Sequence, residues 1–68
     1  MPRFQQLPTS DLISIVSEQH PGARVVYRAG LYQVRVGNER LSGLHRDRKS
    51  AWEQAAKSVV EQMILVDT

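Results

Sequence analysis

His20 and His45 are the side chains of this 68-residue chain best suited to proton transfer or metal binding. His20 precedes Pro21 in a turn-like stretch, and His45 closes a strand-like one. Neither has a carboxylate at a spacing that guarantees a partner. Isolated histidines are far more often surface or capping groups than bases, and a pair without companions makes no metal site. The chain has no cysteine, which removes thiolate ligands, disulfides and thiol nucleophiles. Its serines lie outside any nucleophile-elbow pattern. Gly30, Gly37 and Gly43 fit turns or close strand contacts better than a phosphate-cradling loop. So short a chain also has little room to enclose a substrate. These residues predict a non-catalytic protein with no metal and no cofactor.

The remaining chemistry is cationic. In GLHRDRKSAWEQAAK, residues 43–57, Arg48 and Lys49 fall in what reads as the first turn of a helix. Amide dipoles there favour carboxylates, so cations cost a few tenths to about 1 kcal/mol. Either the cost is tolerated on a plain surface, or an external anion offsets it. The net charge of +2 conceals an asymmetry. From Arg24 to Lys49 seven cations face only Glu39 and Asp47, a local +5, and the rest of the chain carries −3. Segregation of this kind marks a surface that attracts polyanions, or a solvated sheet face dressed in arginine.

The elements that must position these cations follow from periodicity. Residues 1–8 show none and read as a tail, with Phe4 and Leu7 available to tuck against the domain. From residue 9 a helix is expected, with Thr9 or Ser10 as N-cap and Asp11 in the first turn. Leu12, Ile13, Ile15 and Val16 form its apolar side, and HPGA ends it at Pro21. RVVYR (24–28), LYQVRV (31–36) and ERLSGLH (39–45) read as three strands joined by Ala29-Gly30 and Gly37-Asn38. Val25, Tyr27, Tyr32, Val34 and Val36 take the inward face, and the arginines the outward one. A long helix follows. Asp47 is its N-cap, and Ala51, Trp52, Ala55, Ala56, Val59, Val60, Met63 and Ile64 form its stripe. Trp52 reads as a core anchor, and both tyrosines as core residues with their hydroxyls at the rim. LVDT could fray, extend the helix or add a short strand. The expected fold class is α+β: one domain over 9–66 in the order α-β-β-β-α, a three-stranded antiparallel sheet with both helices packed on one face.

Residues 32–60 resemble the second half of the double-stranded RNA-binding domain. That family places a glycine late in the third strand, then Lys-Lys-x-Ala-Lys-x-x-Ala-Ala at the start of the last helix. Gly43, Arg48-Lys49, Ala51 and Ala55-Ala56 match in register without a gap. The resemblance implies that Arg48 and Lys49 contact phosphates across an RNA major groove, with Arg46 beside them. It implies that Ser14, Ser17 and Glu18 of the first helix meet the minor groove, reading A-form shape and 2′-hydroxyls. Trp52 departs from the motif at its third basic position. The family's longer first hairpin loop, with a Gly-Pro-x-His pattern, is here reduced to Ala29-Gly30. The stretch from VVYRAGLYQVRV to RKSAWEQA is also similar to small bacterial sheet-plus-helix domains of unknown function, which the short turn suits and which usually lack the first helix.

Two functions follow as expectations. One is a cytoplasmic module that binds double-stranded RNA through the start of the last helix. The other is a protein–protein interaction module on the same scaffold, acting as a homodimer or as a phage-type inhibitor of a host factor. No run is apolar enough to imply a signal peptide or a membrane span. The apolar tail MILV leaves self-association open.

Overall fold

The computed structural model describes residues 6–66, with side chains described through Gln62. Most of the expected tail, including Phe4, lies outside the described residues, as do the side chains of Met63 and Ile64 and the final pair 67–68. Leu7, at the end of that tail, packs against the core.

Helix α1 spans Thr9–Gln19 and follows from the apolar spacing of Leu12 and Val16, both fully buried, with Ile13 and Ile15 at the margin. It begins at residue 9 as expected, but its cap differs. Pro8 occupies the N-cap and no side chain caps the helix, so Thr9 and Ser10 lie inside the first turn. Proline's fixed φ suits this boundary, and its missing N–H is not needed there. The Pro8 carbonyl accepts from the amides of Asp11 at 3.0 Å and Leu12 at 3.3 Å. The helix stops at His20, whose amide closes onto the Val16 carbonyl at 2.8 Å just before Pro21.

Strands β1 (Arg24–Arg28), β2 (Leu31–Val36) and β3 (Glu39–Arg40) form an antiparallel meander in the order β1-β2-β3. Val25 stands opposite Val34, Tyr27 opposite Tyr32 and Arg28 opposite Leu31. The first hairpin turn needs positive φ at both central residues, and Ala29 (54°) and Gly30 (79°) supply it. In the second turn only Gly37 is left-handed, at 58°, as a turn with glycine in its first central position requires.

The third strand is shorter than the sequence suggests. After Arg40 the chain bulges: the amides of Leu41 (2.8 Å) and Ser42 (3.3 Å) both donate to the Val34 carbonyl. The Ser42 hydroxyl accepts the Val34 amide at 2.9 Å and donates to the Gly43 carbonyl at 2.9 Å. Pairing resumes at an isolated bridge between Tyr32 and His45. Two extra residues on the outer chain have shifted the register, which is why an alternating pattern over 39–45 does not give a continuous strand.

Helix α2, Arg48–Val66, packs across β2 and β1, and α1 packs against α2. The core joins Leu12 and Val16 of α1, Val34 of β2, and Ala51, Trp52, Ala55, Ala56 and Val59 of α2. Both helices therefore lie on the Val34 side of the sheet, in an α+β fold of order α-β-β-β-α. The paired alanines present little bulk, which lets the helix axis approach the strands. Trp52 is the large anchor of this layer, 3% exposed. Tyr32 packs on the core margin, but Tyr27 is 62% exposed and is not a core residue. It stands on the outermost strand, where its ring leans on Tyr32 at a centroid distance of 4.8 Å. Because α2 extends to Val66, the end of the chain adds no strand among the described residues. No helix of the described residues is long and apolar enough to cross a membrane.

Candidate nucleic-acid interface

The segment that carries the expected phosphate contacts is held at both ends. On its N-terminal side, Tyr32 and His45 exchange backbone bonds of 2.6 and 2.9 Å, pinning the chain to the middle strand. From α2, the Gln54 carbonyl oxygen accepts the Gly43 amide at 2.8 Å and lies 2.6 Å from His45 Nε2. Since an amide N–H must meet an acceptor, Gly43 fixes which way Gln54 points. His45 must then donate from Nε2. His45 is thus a tie between sheet and helix. Gly43, the position that matched the strand glycine, lies close to α2: a Cβ built there would sit 3.4 Å from the Gln54 oxygen.

On its C-terminal side, Asp47 caps α2 as expected. Its carboxylate accepts the Ser50 amide at 3.2 Å and the Ser50 hydroxyl at 3.3 Å, and the Ala51 amide closes onto its carbonyl at 3.2 Å. Arg46 and Arg48, on either side of Asp47, are exposed, and Lys49 is half-buried with an interaction of its own. The helix start thus combines two outward guanidinium groups, a favourable dipole and one resident carboxylate, against which any phosphate must compete.

The first-helix candidates make no hydrogen bond to this cluster. Ser14 and Glu18 are exposed and Ser17 is half-buried, and Ser14 donates to the Ser10 carbonyl at 3.0 Å. The two-residue turn at Ala29-Gly30 leaves no counterpart to the long first hairpin loop of the resembling family.

A second concentration of cations lies on the helix-free face of the sheet. Arg24 pairs directly with Arg35, and Arg35 with Arg40, so three guanidinium-bearing residues form a row across the three strands. Arg28 shares the face from the far end of β1. Among the described residues none of these four makes an ion pair, and the Nε of Arg35 is shielded from solvent without a hydrogen-bond partner. Alternation places the arginines outward but does not align them, because alignment needs the registers of two hairpins. Ser42 and Gln54, which position the site, carry no such pattern; the one signal is a small polar residue, Ser42, inside a strand-like run.

Among the described residues no cluster of three or more histidine or acidic side chains is arranged to hold a metal ion. No protein-family model matches the chain, and no curated protein or solved structure matches it either.

Proposed function

We propose that the chain is a non-catalytic nucleic-acid-binding module, acting in the cytoplasm, that docks the phosphates of double-stranded RNA at the start of α2. The observation that supports this reading is the pair of exposed guanidinium groups, Arg46 and Arg48, set around the N-terminus of a 19-residue helix in an α-β-β-β-α domain. Dipole and side-chain charge there act on the same anion. Contact of this kind is to the backbone, so affinity depends on A-form shape more than on sequence. With the long first loop absent, the footprint is smaller than a full double-stranded RNA-binding domain would make.

The test is a salt titration of binding to duplex RNA, with duplex DNA and single strands as controls. Affinity falls steeply with salt, and Arg48→Gln lowers the slope of log K against log salt by about one. Asp47→Asn keeps the cap but removes the competing charge, so it strengthens binding. Equal slopes for the parent and Arg48→Gln, or no preference for duplex RNA, would remove this reading.

A further inference from the structure

We propose that the helix-free face of the sheet is a separate docking surface for an acidic, aliphatic peptide segment of a protein partner. This does not rest on the RNA reading: it uses other residues, on the other side of the sheet from the helices.

Like charges directly opposite each other on adjacent strands destabilise a sheet. The row Arg24–Arg35–Arg40 contains two such pairs in succession. Nothing within the described residues offsets them, since none of the three makes an ion pair. Carboxylates from outside would. Arg35, in the middle, is half-buried with its Nε shielded from solvent, so its charge is less hydrated than that of a fully exposed side chain.

The chemistry between the arginines selects the kind of anion. An open groove of about 400 Å³ runs over this face, and Val26, Leu31 and Leu44 line it together with Arg28, Arg35 and Arg40. Leu44 is 60% exposed, one of only two large hydrophobic residues so exposed among those described. Aliphatic side chains gain nothing from a sugar–phosphate backbone. Single-stranded nucleic acid would want aromatic platforms for its bases, and both tyrosines of the sheet are on the opposite face. An acidic segment with leucine- or valine-like residues between its carboxylates satisfies both features. Side chains on one face of an extended peptide recur every ~7 Å, and the arginine row steps every ~5 Å from strand to strand. Long guanidinium stems absorb that difference. The chain's own segment 1–5 carries Arg3 and no acid, so charge does not favour it as the occupant.

The experiment measures fluorescence anisotropy of a labelled peptide of alternating glutamate and leucine, with a glutamine–leucine peptide and oligoglutamate as controls. The protein should bind the glutamate–leucine peptide best. The double variant Arg24→Gln/Arg40→Gln should bind it at least about tenfold more weakly while melting no lower than the parent, since it relieves repulsion. Leu44→Ser should weaken binding with every charge retained. Arg46→Gln/Arg48→Gln, which tests the RNA reading, should leave peptide binding unchanged. The proposal is overturned if the double variant binds the peptide as the parent does, or if oligoglutamate binds equally well. It is also overturned if the double variant loses duplex RNA instead, or if the face proves to be occupied by a second copy of the chain in sedimentation.

Discussion

The hydroxyl of Ser42 takes the place of a main-chain carbonyl at the middle of the sheet. It accepts the Val34 amide where the bulge has pulled the neighbouring backbone out of reach. Val34 is fully buried and Ser42 is 7% exposed, so no water replaces that bond cheaply. Ser42→Ala should cost about 1–3 kcal/mol, read by urea denaturation, because it orphans a buried donor instead of removing a pair. A variant within about 0.5 kcal/mol of the parent would show that the bulge re-forms with a carbonyl partner. Ala29 carries the opposite liability. A left-handed alanine is strained, so Ala29→Gly should raise stability by up to about 1 kcal/mol in the same measurement. A loss would mean that the entropy of the unfolded glycine outweighs the relieved strain.

Elements read from the sequence succeeded where one residue's neighbours are its own chain segment. The α2 stripe from Ala51 to Val59 and the Asp47 cap are local, set by a 3.6-residue period and a side chain that reaches three residues ahead. Asp47→Ala should accordingly cost about 1 kcal/mol, and Asp47→Asn much less, by thermal unfolding. The start of α1 at Thr9 is as expected, but its cap is not: N-cap preference favours Thr9 or Ser10, whereas Pro8 takes the position with no side-chain bond. The third strand failed for a different reason. Alternation over 39–45 persists in sequence, but the bulge is selected by a partner strand that periodicity does not see. The candidate site divides in the same way. Arg46, Arg48 and Lys49 were legible as neighbours in the chain, whereas the row of Arg24, Arg35 and Arg40 exists only once two hairpins are in register.

At the scale of the whole molecule, one small core carries the fold. Trp52→Ala removes its largest side chain and should cost about 3–5 kcal/mol. A domain this short has a total stability of about the same size, so circular dichroism should show the variant largely unfolded at room temperature. Retention of a cooperative transition near that of the parent would mean that the core extends beyond the residues named here. Charge acts on the same narrow balance. Adding salt screens the arginine row, so the parent should melt at a higher temperature in moderate salt than in low salt, and Arg40→Gln should flatten that dependence. The bulge at Leu41–Ser42 also leaves the sheet with unequal margins, because β3 ends after Arg40 while β1 runs unbroken for five residues. Strand-to-strand polymerisation therefore has one usable border. If two copies met there antiparallel about Val26, each Arg24 would confront the other's Arg28. The same arginines that invite an anion thus hold copies of the chain apart, and neutralising Arg28 should show as turbidity on concentration.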